Sequence, residues 1–335
     1  MNKAYTTGKT DTILDIPGLK VGHAQNIEAL TGVTVLLATN GAVAGADIRG
    51  GGSGTREVNL LDPNTTTDQV HAIVLSGGSA FGLDAAGGVM VWLEEQGIGF
   101  DTGVAKVPLV PQAILFDLSL GNSKIRPDQV MAREACENAV SDGNRLTQGN
   151  YGAGCGASIG KLRQGFGAMK SGIGSASLML ENGFTVGTIV AVNALGDVYE
   201  ENQIIAGMLD TTGQTFTDSS SYLLTMGSIP DAASTPVTRT NTTIGIIATN
   251  GIFTKAQCNK ISSMGHNGMA RAIRPVHTTM DGDLLFALAT GEMAVSVDIA
   301  GEMAAIAVER AIIKAIKAAA PAGGLPSWQS IHQSA

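Results

Sequence analysis

One peptide bond in this chain could turn into a nucleophile with its own base attached. At Asn241-Thr242 a polar, Ser/Thr-rich stretch ends and the apolar run Thr243-Ile244-Gly245-Ile246-Ile247-Ala248-Thr249 begins. Cutting that bond would give a threonine with a free α-amine of pKa about 8, able to take the proton of its own hydroxyl. The same hydroxyl can make the cut by attacking the preceding carbonyl, giving an ester that water hydrolyses. A threonine is also an ordinary first residue of a strand. Local chemistry leaves both readings open.

Other segments offer groups that could serve such a site. Asp281-Gly282-Asp283 puts two carboxylates two residues apart, just before the apolar run Leu284–Ala289, so in extended chain they share a face. One could hold the threonine amine or hydroxyl while the other positions the first, although Asp-Gly is also a common polar turn. Lys161 follows the glycine block 149–157, and Asn193 ends an apolar run. Asn193 could stabilise an oxyanion and Lys161 could polarise the nucleophile's surroundings, but alone each also fits a plain turn or surface position. Ser76-Gly77-Gly78-Ser79-Ala80-Phe81-Gly82 lacks the second glycine of a nucleophile elbow, G-x-S-x-G. Its strand–glycine–helix layout still suggests free N–H groups for an anion, with Ser79 beside them. No G-x-G-x-x-G or Walker A pattern supports a nucleotide site. Asp281, Asp283 and His277 make a weak metal signal, and no cofactor or metal is expected.

Composition sets the frame for these groups. The chain has 335 residues, 44% of them hydrophobic and 15% charged, enough for one large core. The net charge of −8 argues against nucleic acid or an anionic membrane as partner. No leader-like or membrane-spanning run is evident. The three cysteines, Cys136, Cys155 and Cys258, lack metal-type spacing and suggest reduced thiols in the cytoplasm. Cys155, between two glycines, reads best as a small buried residue.

The elements that must position the site follow from hydrophobic pattern. Strands are expected at 31–38, 70–75, 184–193, from 198, at 243–249 and at 284–289. Asn250-Gly251 signals a turn. Helices are expected to about Glu95, over 126–141, after the Thr254/Gln257 capping box, and over 296–319 with Ile299, Met303, Ile306, Ile313 and Ile316 on its buried face. Residues 209–241 read as a long, flexible linker before the candidate cut. Interspersed strands and helices with glycine turns favour a layered α/β sandwich in one domain.

These segments together resemble the P1 family, peptidase family S58, which includes L-aminopeptidase/D-esterases and β-peptidyl aminopeptidases. The resemblance runs through Thr31-Gly32-Val33-Thr34-Val35, Leu75–Leu83, Phe116-Asp117-Leu118, Gly152-Ala153-Gly154, Gly268–Ile273, His277-Thr278 and Asp281-Gly282-Asp283. Asn241-Thr242-Thr243-Ile244 is most similar to the branch that hydrolyses nylon oligomers, built on 6-aminohexanoate. The aminopeptidase branch characteristically uses serine as nucleophile and a Ser/Glu pair where this chain has Asp281 and Asp283. The resemblance implies Thr242 as nucleophile, Lys161 and Asn193 as catalytic neighbours with Asn193 an oxyanion donor, and Asp281 and Asp283 orienting Thr242. It implies an αββα sandwich, Ntn-hydrolase-like, with the connectivity shared with ornithine acetyltransferases. It further implies cleavage into an α chain, 1–241, and a β chain, 242–335, assembled as a homo-oligomer, a tetramer of αβ units. The implied substrate is a small amide or peptide, with acyl transfer on the same scaffold an alternative. Phe116 stands where that branch has a tyrosine, so the hydroxyl is missing at this substrate-binding position.

Overall fold

The computed structural model describes residues 4–141, 145–163, 167–227 and 241–332. The chain runs through β1 (Lys20–Asn26), β2 (Thr31–Ile48), β3 (Gly54–Arg56), β4 (Val70–Ser76), α1 (Ala85–Glu95), the small hairpin β5 (Phe100–Asp101) and β6 (Lys106–Val107), β7 (Gln112–Ile114) and α2 (Gln129–Val140). Then come β8 (Ser158–Ile159), β9 (Met169–Lys170), β10 (Ile173–Met179), β11 (Thr185–Ala191), β12 (Asp197–Glu200), β13 (Gln203–Ala206) and α3 (Ser219–Met226). Beyond Asn241 lie β14 (Ile244–Gly251), α4 (Lys255–Ala272), β15 (Ile273–Arg274), β16 (Leu284–Met293), α5 (Val297–Ala318) and α6 (Trp328–His332).

Alternating burial sorts these elements into four layers. One sheet runs β10-β11-β14-β16 and ends on the second half of β2; the first half of β2 pairs with β1 and β4 in the other sheet, which continues to β7 and β3. Ile189, Ala191, Ile244, Ile246, Leu284 and Phe286 of the first sheet pack against Leu36, Ile73 and Leu75 of the second. The next residues along the same strands face outward: Val190, Ile247, Leu285 and Ala287 toward α4 and α5, and Val33, Val35 and Val74 toward α1 and α2. Helix pair, sheet, sheet, helix pair is the expected αββα sandwich. Period-two side chains explain it, because each strand is apolar on both faces.

Several elements depart from the sequence pattern, each for a tertiary reason. The expected strand 31–38 continues to Ile48, with a register shift between Leu37 and Ala42 where Gly41 takes φ 79°. That irregularity lets one strand serve two sheets. Asn250-Gly251 is not a turn but the end of β14. Asn250 is buried, and its side-chain oxygen accepts the Thr185 N–H at 2.9 Å, so the amide extends the sheet edge. On α5 the buried stripe is Ala300, Met303, Ala304, Ala307, Val308, Ala311, Ile312, Ala315 and Ile316, whereas Ile299 is exposed and Ile306 and Ile313 are half-buried. Small residues win because α4 lies so close: a Cβ at Gly268 would fall 1.9 Å from the Ala305 carbonyl oxygen. Part of the expected linker is a helix, α3, whose N-cap Asp218 accepts the Ser221 N–H at 2.6 Å. Residues 228–240 of that linker lie outside the described residues. Among the described residues no helix is long and apolar enough to cross a membrane.

Candidate active site

The nucleophile candidate sits at the mouth of the central strands. Thr242 lies two residues before β14, which pairs antiparallel with β11 and parallel with β16. This register brings together the end of β11, where Asn193 lies, and the approach to β16, where Asp281 and Asp283 lie. Asn241 and Thr242 are each 3% exposed. The bond between them is therefore enclosed in the uncut chain.

Every group around that bond has defined partners. The Thr242 hydroxyl donates to the Asn241 carbonyl oxygen at 2.5 Å. The Gly282 N–H donates to the same oxygen at 2.9 Å. The Thr242 N–H donates to the Asn193 carbonyl at 2.8 Å. Asp283 accepts the Thr243 N–H on Oδ1 at 2.7 Å and His277 on Oδ2. Asp281 accepts the Thr278 N–H and hydroxyl on Oδ2 and an N–H from Leu195. In the uncut chain the two aspartates thus hold the neighbouring main chain; Asp283 reaches the residue after Thr242.

Lys161 and Asn193 form the opposite wall. Lys161 is half-buried along its stem, but its ammonium is enclosed, donating to Asn193 Oδ1 at 2.7 Å and to the Asn193 carbonyl at 3.1 Å. Burial pulls its pKa down to about 7, although the charges of Asp281, Asp117 and Asp283 oppose this. Asp281 is pushed up to about 6 by burial and then by Asp283, against the hydrogen bonds it accepts. Asn193 also accepts the Ser158 N–H on Oδ1 at 3.1 Å, and its Nδ2 donates to the Phe116 carbonyl at 2.9 Å. A hydroxyl, a carbonyl, an N–H aimed at that carbonyl and groups titrating near neutrality share one enclosed space. Such a set can support acyl transfer.

The profile of peptidase family S58 matches residues 11–327. The chain belongs to this family. An uncharacterized aminopeptidase of Mycobacterium bovis is 38% identical over 97% of this chain and 99% of its own length. A 6-aminohexanoate-oligomer endohydrolase of Kocuria sp. is 33% identical over 86% of this chain and 77% of its own. The L-aminopeptidase D-Ala-esterase/amidase of Ochrobactrum anthropi, described as a variant of the Ntn hydrolase fold, superimposes with a TM-score of 0.71. It is 20% identical and the match covers 96% of this chain and 90% of that one. The fold is thus that of the Ntn-hydrolase-like aminopeptidases, and the S58 chain is a hydrolase of the peptidase/amidohydrolase type.

Within this S58 chain, two further candidates, Phe116 and Ser79, come from other segments. Phe116 is half-buried and meets the site through its carbonyl, the acceptor for Asn193. Ser79 lies at the β4–α1 corner with φ 54°. The N–H groups expected to be free there are taken: Gly77 donates to Gly32, Gly78 to Asp117 Oδ1 at 2.7 Å, and Ser79 to Leu115. The acceptor at this corner is the chain's own Asp117, whose carboxyl is pushed up by burial and which also accepts the Thr31 hydroxyl at 2.7 Å. Cys155 is buried and its thiol is pushed up to about 11, as an inert packing residue should be.

Three further groups shape the site in ways the sequence pattern does not show. Gly282, His277 and the loop 49–53 make contacts that only the tertiary fold reveals. The loop wraps the aspartate turn: Arg49 and Gly50 donate to the Asp283 carbonyl, and Gly52 donates to that of Asp281 at 2.8 Å. A Cβ at Gly50 would lie 2.3 Å from the Asp283 nitrogen, which is why the loop is rich in glycine. Gly282 is equally tight, with a Cβ there falling 2.6 Å from Thr242 Oγ1. Gly282→Ala is therefore expected to displace the hydroxyl and slow chain cleavage by about 10²-fold or more. Intact mass over time after synthesis checks this, and fragments appearing at the native rate would rule it out.

Proposed function

We propose that this chain is a self-cleaving N-terminal-threonine amide hydrolase. The observation that carries the reading is the environment of one carbonyl: Asn241 O accepts both the Thr242 hydroxyl and the Gly282 N–H. Thr242 Oγ attacks the Asn241 carbonyl carbon, and the negative oxygen gathers charge against the Gly282 N–H. The C–N bond breaks, the nitrogen takes the proton lost by the hydroxyl, and an ester joins Asn241 to Thr242 Oγ. Water hydrolyses the ester, leaving a carboxylate on Asn241 and a free α-amine on Thr242. The products are 1–241 and 242–335.

Turnover then repeats the chemistry on another molecule. The amine takes the hydroxyl proton, Oγ attacks the substrate amide, the substrate amine leaves and water releases the acid. In this reading Asn193 faces the oxyanion, Lys161 fixes Asn193, and Asp281 and Asp283 orient Thr242. Removal of the Asn241 carbonyl from the enclosed site makes room for a small amide. The Thr242 motif and the Kocuria relative support 6-aminohexanoate oligomers as substrates. The mycobacterial relatives support a second reading, aminopeptidase action on L-alanyl or β-alanyl amides.

The test is a substrate panel on protein already shown by intact mass to be two fragments. Aminohexanoate oligomers, L-alanyl amides and β-alanyl amides are offered side by side. Hydrolysis of the oligomers at the highest kcat/KM is expected. Fragmented protein with no turnover of any amide would sink the hydrolase reading, and preference for α-aminoacyl amides would select the second.

A further inference from the structure

His277 stands next to the site, where the sequence offers it only as part of a weak metal signal and of a family motif. Its main-chain N–H and its ring Nδ1 both reach one oxygen of Asp283, Oδ2, at 3.0 and 2.9 Å. The other oxygen, Oδ1, accepts the N–H of Thr243, the residue after Thr242. Asp283 is 1% exposed, so these contacts are made away from water. His277 holds φ 57°, a left-handed conformation uncommon for a residue with a side chain. In that conformation main chain and ring converge on the same carboxylate oxygen.

The ring is itself held. It packs edge-on against His266 of α4, with centroids 4.6 Å apart and planes at 77°. His266 is fully buried, and its Nε2 meets the Asp47 carbonyl at 3.0 Å. A carboxylate and a carbonyl only accept, so the proton of His277 sits on Nδ1 and that of His266 on Nε2. Burial also pushes His266 down to about 4, which keeps it neutral in ordinary buffers. A line of contacts thus runs from β2 through two imidazoles and Asp283 to Thr243, the residue just before β14.

We propose that His277 is a positioning residue for the nucleophile: through Asp283 it fixes the main chain of Thr243, and so the place of Thr242 in the site. The proposal rests on Thr242 being the nucleophile. It assigns His277 no contact with substrate. Loss of the ring donor frees Asp283 to rotate, and Thr242 then samples positions from which attack is slow.

The test compares His277→Phe and His277→Asn, each alone and with Asp283→Asn, in the processed full-length protein. Asparagine can place an amide N–H near the position of Nδ1; phenylalanine cannot. His277→Phe is expected to lower kcat by about 10- to 100-fold with KM changed less than about 2-fold, because misplacement taxes the chemical step. His277→Asn is expected to recover most of that loss. In the Asp283→Asn background the His277→Phe change should cost little more, since the route through Asp283 is already broken. Native kcat in His277→Phe, or an equal loss in both backgrounds, would overturn the proposal. If His277→Phe does not fold, His277→Ala, which keeps the main-chain N–H, is compared with His277→Asn by the same criteria. Turnover by Thr242→Ala would instead defeat the nucleophile assignment, so the two failures are distinguishable.

Discussion

Thr242→Ala is expected to leave one full-length chain where the native protein is expected to yield two fragments. The substitution deletes the hydroxyl that lies 2.5 Å from the Asn241 carbonyl oxygen and leaves every other partner of that oxygen in place. The Gly282 N–H still donates, and the Thr242 N–H still reaches Asn193. With no nucleophile there is no N-to-O acyl shift, however well the carbonyl is polarised. Amide turnover is expected to fall by roughly 10⁴- to 10⁶-fold, as when a nucleophile is removed from other acyl-transfer sites. Folding should survive, because a lost hydroxyl hydrogen bond costs about 0.5–1.5 kcal/mol. Thr242→Ser keeps the hydroxyl and loses the methyl, whose carbon lies 3.2 Å from the position of a Cβ on Gly282. It is expected to cleave, at a lower rate, because the smaller side chain is less confined. Intact mass and thermal unfolding of the three proteins decide the matter. A cleaved alanine variant with a native unfolding curve would place the nucleophile elsewhere.

Much of the frame of this site was legible because it obeys short-range rules. The strand after Thr242 shows itself by apolar residues and a sharp polar boundary. The helix after it shows itself by Thr254 and Gln257, whose side chains close the predicted capping box. Asp281 and Asp283 were visible as a pair before a strand, and the fold brings both against the N-terminus of β14. What escaped is contact made by an irregular turn or between segments far apart in sequence. His277 meets Asp283 only because the turn 277–283 closes on itself. The glycines of 50–52 meet that turn across the sheet. Asn250-Gly251 carries a strong local turn signal, but its side-chain amide has a better partner in Thr185. On α5 the expected Met303 and Ile316 are buried, but close helix packing fills most of the buried stripe with alanines and leaves Ile299 exposed. Asp117 could not be predicted from the serine–glycine corner, because the acceptor of the Gly78 N–H comes from the loop after β7.

Lys161 should separate the two reactions that share this site. In the uncut chain the nitrogen of Thr242 is a peptide N–H bound to the Asn193 carbonyl, so it cannot serve as base. After cleavage it is an amine, ordinarily with a pKa of about 8 and lower beside a cation. Turnover therefore gains a limb on the acid side as this amine loses its proton. Lys161, held down to about 7 by burial, loses its own proton over the same pH range, so the two limbs crowd together and the active window is narrow. Its ammonium is the stronger donor to Asn193 Oδ1 and the counter-charge to Asp281 and Asp283, so deprotonation should lower activity on the alkaline side. A bell-shaped kcat/KM profile is expected for the processed enzyme, whose acid limb is missing from the self-cleavage profile. Lys161→Arg keeps a charge that does not titrate in the accessible range and should erase the alkaline limb. Lys161→Met removes both donor and charge, and should reduce kcat by about 10²- to 10³-fold. An alkaline limb unchanged in Lys161→Arg would show that another group titrates there.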